Sequence, residues 1–79
     1  MMLNNSKEKR FTDACQLVVD VRNSLAVNYA VEYARVGLTL TDWEACRVQC
    51  LYILSNITAW RGMTATGVRV ELKDLSTME

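Results

Sequence analysis

The chain has 79 residues, of which 51% are hydrophobic, and it contains neither histidine nor proline. Nine Lys and Arg residues balance nine Asp and Glu residues, so a net charge of zero gives no general attraction for nucleic acid or acidic membranes. The absence of histidine excludes Ser–His and Cys–His nucleophile pairs, and the three isolated glycines cannot form a phosphate-binding loop.

The small size of the chain raises the question of what stabilises it. A chain of this length buries only about 60–65% of its unfolded surface, and small domains usually add disulfides, a metal or oligomerisation. Cys46 and Cys50 lie four apart on a predicted helix, where the geometry seldom allows a disulfide. A zinc site would need a carboxylate beside Cys15, Cys46 and Cys50, which is uncommon. We therefore predict no metal, no cofactor and an oligomer.

The first helix is predicted over residues 6–36. Asn5 and Glu8 have the spacing of a capping box, in which each residue satisfies a free amide of the other, and Thr12 is an alternative start. Gly37 provides the C-terminal stop.

A narrow polar stripe follows this helix at intervals of three or four residues. Its members are Asp13, Gln16, Asp20, Ser24, Asn28, Glu32 and Arg35. A helix that is polar along only one stripe must pack its other, apolar sides against other parts of the protein or against a partner. Asn23-Ser24 is the weak point, where a break would give three helices instead of two.

The second helix is predicted over residues 42–61. The short turn at residues 37–41 makes it fold back antiparallel, and Thr41 and Glu44 have capping-box spacing. Its apolar residues recur every three or four positions, which is typical of a bundle seam. They are Trp43, Cys46, Cys50, Ile53, Ile57 and Trp60, with Leu51 and Leu54 beside them.

The C-terminal tail, residues 62–79, has a different pattern. Residues 68–73 alternate apolar and charged side chains with period two, which favours a strand. Val68, Leu72 and Leu75 also fit a short helix. A lone strand is not stable, so a strand here would pair with a second chain.

Together these elements predict one all-α or mostly α domain: an antiparallel helical hairpin that dimerises into a four-helix bundle, with a short C-terminal strand or helix. Two such helices carry more apolar surface than one hairpin can hide, so we expect a homo-oligomer, most simply a dimer, or a complex with another protein. The predicted interface residues are Trp43, Cys50, Leu51, Ile53, Leu54, Ile57, Trp60, Tyr29, Tyr33, Val68, Val70 and Leu72.

The location follows from what the chain lacks. Its longest apolar run, Cys50 to Leu54, is too short to span a bilayer, and residues 1–10 lack the apolar run of a secretory signal. We expect a soluble cytoplasmic protein with no membrane partner.

Three functional hypotheses follow. The first is a non-enzymatic interaction protein, an oligomeric adaptor, regulator or inhibitor, by analogy with short accessory proteins of phages and mobile elements. The second is a nucleic-acid-associated regulator, which is disfavoured because Lys7, Lys9 and Arg10 form the only basic cluster. The third is a minimal enzyme with an intersubunit pocket for a carboxylate substrate, lined by Arg22, Arg35, Arg47 and Arg61. No catalytic residue is predicted.

Overall fold

The computed structural model describes residues 6–21 and 27–79, and this part of the chain forms four helices without a strand. The helices are α1 (Lys7–Asp20), α2 (Asn28–Gly37), α3 (Trp43–Ser55) and α4 (Met63–Ser76). Helices α1 and α2 pack together, α2 packs on α3, α3 packs on α4, and α4 returns to α1. The predicted all-α class is confirmed for the described residues.

Two helices stand in place of the single helix predicted over residues 6–36. Helix α1 ends at Asp20 with Val21 as its C-cap, and α2 follows Val27 as its N-cap. The polar stripe did not reveal the two helices. When two packed helices each expose one face, their polar residues still recur every three or four positions, as they do in one long helix. The predicted break at Asn23-Ser24 lies outside the described residues.

The second half of the chain also differs from the prediction. Helix α3 ends at Ser55 rather than near residue 61, and residues 68–73, predicted as a strand, lie within α4. Packing decides for the helix, because only helical spacing puts all the tail's core residues on one face. These are Ala65, Val68, Leu72 and Leu75, all buried, whereas the alternating pattern would have included the exposed Val70.

Side-chain caps begin two of the helices. Ser6 caps α1 by accepting a hydrogen bond from the Lys9 backbone N–H at 3.2 Å, while Asn5 lies outside the described residues. Asp42, rather than Thr41, caps α3 by accepting from the Ala45 N–H at 3.1 Å. Glu44 pairs with Arg47 instead of completing the predicted box.

The core lies within one copy of the chain. The predicted seam residues Cys46, Cys50, Ile53 and Ile57 are buried there, and Trp60 is only 8% exposed. The expectation that one chain cannot hide its apolar surface assumed two long helices. Four shorter helices enclose the seam on more sides, so the apolar surface left for a partner is smaller than predicted.

Polar contacts hold α4 against the first and third helices. The Arg10 guanidinium on α1 donates from Nη2 to Glu71 Oε1 at 2.9 Å and to Asp74 Oδ2 at 2.8 Å. Two residues after the end of α4, the Met78 carbonyl accepts a hydrogen bond from the Trp43 indole N–H at 3.1 Å. The position of α4 beside α3 therefore depends on directed contacts as well as on apolar packing.

A close approach of α1 and α2 explains why position 37 is occupied by glycine. Gly37 is the last residue of α2, and among the described glycines Gly62 alone has a positive φ, so Gly37 does not serve as a left-handed cap. A Cβ at position 37 would lie 2.8 Å from Cys15 Sγ and 3.0 Å from Phe11 Cζ. Gly37 is therefore required by packing between the two helices.

We expect Gly37→Ala to destabilise the fold by about 1–3 kcal/mol, because the added methyl group overpacks a buried contact. The melting temperature should fall by about 4–8 °C for each kcal/mol in a domain of this size. Thermal unfolding followed by circular dichroism measures both quantities.

Gly67→Ala is the matched control. Gly67 lies within α4, and apart from its chain neighbours and the backbone of its own helix no atom would come within 4 Å of an added Cβ. Alanine there should stabilise the helix by about 0.5–1 kcal/mol. Shifts of the same sign in the two variants would contradict the packing role of Gly37.

Candidate interaction surface

The predicted interface residues divide into an inner and an outer set. The inner set is buried in the chain's own core and consists of Cys50, Ile53, Ile57, Trp60, Val68 and Leu72. Trp43 and Leu54 are half-buried, and the outer set is Tyr29, Tyr33, Leu51 and Val70. Of the predicted interface residues, the outer set and the half-buried pair are therefore the ones that another molecule can reach.

Two members of the outer set, Tyr29 and Tyr33, join two exposed residues that were not predicted, Val36 on α2 and Tyr52 on α3, in what we call the tyrosine patch. The α2 members lie three or four residues apart and so share one helix face. The rings of Tyr33 and Tyr52 stack with their centroids 5.6 Å apart and their planes 22° apart. Tyr29 is 73% exposed and Tyr33 is 38% exposed.

A buried hydrogen bond positions the tyrosine patch. Gln49 on α3 donates from Nε2 to the Tyr33 carbonyl oxygen at 2.8 Å, and its side chain is buried between the helices. This bond ties the backbone of α2 to α3 at the level of the stacked rings. The two helices therefore present the rings on a fixed frame rather than on loops.

On the other side of α3 lies the α3–α4 groove, with a volume of about 580 Å³. Its apolar side chains are Leu51 and Leu54 of α3 and Val70 of α4. Leu51 is 49% exposed and Val70 is 65% exposed. The remaining lining residues are Arg69, Lys73, Ser76 and Thr77.

Two cations at the groove have no acidic partner among the described residues. Arg69 donates from Nη1 to the carbonyl oxygens of Ile57 at 3.2 Å and Trp60 at 2.6 Å, and Lys73 takes part in no described ion pair. Three other arginines are paired with acids: Arg10 with Glu71 and Asp74, Arg35 with Glu32, and Arg47 with Glu44. Sequence reasoning missed these two cations, because it read their segment as a strand.

The three cysteines form part of the core. All are free thiols and buried. Burial raises the pKa of Cys15 to about 12, with the neighbouring Cys50 and Cys46 adding to the effect. Burial likewise raises the pKa of Cys50 to about 12 and raises that of Cys46. No group of acidic and thiol side chains in the described part of the chain is arranged to hold a metal ion.

The arginines proposed for an intersubunit pocket are in different surroundings. Arg35 and Arg61 are exposed, Arg47 is half-buried, and Arg22 lies outside the described residues. Arg35 pairs with Glu32, and Arg47 pairs with Glu44. These pairs already neutralise part of the charge that a carboxylate substrate would need.

Comparison with known proteins gave no match: no protein-family model, no curated protein and no solved structure matches this chain. None of the helices in the described residues combines the length and hydropathy needed to cross a bilayer.

Buried, protonated thiols should be unreactive in the folded protein. We expect slow alkylation by iodoacetamide at about pH 8, because the thiolate is the reactive form and burial disfavours it. The same reagent should modify all three thiols once guanidinium unfolds the chain. Mass spectrometry of both reactions provides the measurement, and rapid labelling of the native protein would contradict the buried positions.

The raised thiol pKa values also predict loss of stability in alkali. Above the ordinary pKa of 9.0, the unfolded chain loses the Cys15 proton, whereas the folded chain keeps it up to about pH 12. The free energy of unfolding should therefore fall as the pH rises from 9 to 12, by at most about 1.4 kcal/mol per pH unit for this thiol. The slope should be shallower in Cys15→Ala, and an equal slope would contradict the assignment.

Proposed function

We propose that this chain is a non-enzymatic protein–protein interaction module that forms a homodimer through the tyrosine patch. The observation that carries the proposal is the stacked pair Tyr33–Tyr52, exposed beside Tyr29 on a face that no described residue covers. A cytoplasmic location belongs to the same proposal and is supported by the three free thiols.

Tyrosine suits this role for physical reasons. Its ring provides a large apolar contact area, its hydroxyl can remain hydrogen-bonded, and it is enriched among residues that dominate binding energy. Association costs entropy when side chains must be ordered. The stack and the Gln49 bond already order Tyr33 and its helix, so less entropy is lost on binding.

Charge supports a second copy as the occupant. The patch borders Glu32 and Arg35, an exposed pair whose Oε2 and Nη1 atoms are 3.6 Å apart. A surface with one acid and one base is complementary to itself across a twofold axis, on which each copy presents the same residues. The chain's net charge of zero adds no long-range repulsion between copies.

The area that such a dimer needs is available. A stable interface buries about 800 Å² on each partner, roughly a sixth of the 5130 Å² of accessible surface here. The interface would therefore extend from the tyrosine patch to its neighbours on α2, such as Asn28 and Glu32, which are both exposed.

We expect Tyr29→Glu to weaken the dimer at least about tenfold, because it places charge in the centre of a desolvated contact. Sedimentation velocity over about 1–200 μM gives the dissociation constant. Tyr29 is mostly exposed in the single chain, so circular dichroism should show unchanged folding.

Met63→Glu is the control for this experiment. Met63 is 93% exposed at the start of α4, outside the tyrosine patch, and its replacement changes the net charge equally. It should leave the dissociation constant unchanged. A wild-type chain that stays monomeric over the whole concentration range would refute the proposed dimer.

A further inference from the structure

The α3–α4 groove holds apolar side chains that the fold leaves open to solvent: Leu51 and Val70 are exposed, and Leu54 is half-buried against the core. Val70 points away from the buried face of α4, which carries Val68 and Leu72, and it lies across the groove from Leu51 and Leu54. Leu51 and Leu54 are three residues apart and form one ridge along α3. Removing this ridge and Val70 from water requires another molecule.

The charges of α4 are divided between its two sides. Its acids, Glu71 and Asp74, both bind Arg10 on α1. Its bases, Arg69 and Lys73, line the groove without a described acidic partner. Like charges four residues apart on a helix repel each other, so an anionic group in the groove would relieve an unfavourable interaction.

From this arrangement we infer that the α3–α4 groove binds an amphipathic helix of another protein, whose leucine-like face is flanked by Asp or Glu. The inference rests on the interaction role proposed above and identifies a second partner for it. The partner's apolar residues pack against Leu51, Leu54 and Val70, and its carboxylates pair with Lys73 and Arg69.

The dimensions of the groove fit a short helical segment. From Arg69 to Thr77 the lining of α4 spans about 12 Å at 1.5 Å per residue, or just over two helical turns. Two packed helices present a groove into which the side-chain ridge of a third helix fits. A segment with apolar residues at positions i, i+3, i+4 and i+7 matches that length.

Other occupants fit the groove less well. The exposed face of α2 in a second copy carries the paired charges Glu32 and Arg35, so it offers no net acid to the cations. Nucleic acid would meet the apolar Leu51, Leu54 and Val70 where it needs phosphate contacts. An acidic amphipathic helix would both bury the apolar side chains of the groove and pair with its cations.

Matched synthetic peptides test this inference on the full chain. Three fluorescein-labelled, hydrocarbon-stapled peptides of about 14 residues are compared. The Leu/Glu peptide has a leucine face flanked by glutamates, and the Leu/Lys peptide has the same leucine face flanked by lysines. The third peptide has the composition of the Leu/Glu peptide in scrambled order. Fluorescence anisotropy measures binding at about 50 and 500 mM NaCl. We expect the ordered Leu/Glu helix to bind at least about tenfold more tightly than either of the others at low salt, with a smaller advantage at high salt.

Two lysine variants locate the binding site. Lys73→Glu should weaken Leu/Glu binding at least about tenfold and favour the Leu/Lys peptide. Lys9→Glu changes the net charge equally on α1, where the Lys9–Asp13 pair is exposed, and should leave binding unchanged. Val70→Asp should also remove Leu/Glu binding, and circular dichroism checks that each variant is folded.

Several outcomes would overturn the inference. The first is that the scrambled peptide binds as tightly as the ordered Leu/Glu peptide. The second is that Lys9→Glu and Lys73→Glu weaken binding equally. The third is that a short DNA duplex displaces the peptide and that Val70→Asp does not affect the binding of this duplex. A dimer that binds no peptide would refute the groove and leave the tyrosine-patch dimer standing. A monomer that binds the Leu/Glu helix would support the groove and refute the dimer.

Discussion

The close contact between α1 and α2 is the constraint on which the rest of the structure depends. Gly37 allows the end of α2 to lie against Cys15 and Phe11, where any larger side chain would meet an atom within 3.0 Å. This contact brings α1 and α2 close together, so that each helix covers part of the apolar surface of the other. The seam of α3 then becomes the centre of a single-chain core rather than the contact between two chains, as the burial of Ile53 shows.

The helical class and most core positions of α3 follow from sequence, whereas the number of helices does not. The spacing of Cys46, Cys50 and Ile53 specifies a buried helix face, and these residues are buried. Spacing alone cannot distinguish one long helix from two short ones, because both keep apolar residues at intervals of three and four, whereas the pairing of α1 with α2 involves residues distant in sequence such as Phe11 and Gly37. Nor can alternation over Val68–Lys73 identify a helix whose core contacts come from distant parts of the chain.

Sequence reasoning could locate the candidate surface only in part, because a core and an interface are both apolar at helical spacing. Trp60 and Leu51 belong to the same predicted helix, yet the first is 8% exposed and the second 49%. In the structure Trp60 lies beyond the end of α3, in the connection to α4, whereas Leu51 lies on the part of α3 that the other helices leave exposed. The cations of the groove were missed because residues 68–73 were predicted as a strand, whereas in the helix their position follows from the side of α4 that binds Arg10.

The two proposed contacts lie on opposite sides of the exposed face of α3, and their chemistry differs. The tyrosine patch borders a balanced Glu32–Arg35 pair and is suited to a second copy, whereas the α3–α4 groove carries uncompensated positive charge and is suited to an acidic partner. Like-charged grooves repel each other, so two copies would not pair through them, and the groove stays free when the proposed dimer forms. A dimer of this kind would present two grooves at once, and a partner with two acidic helices would bind both more tightly than either alone.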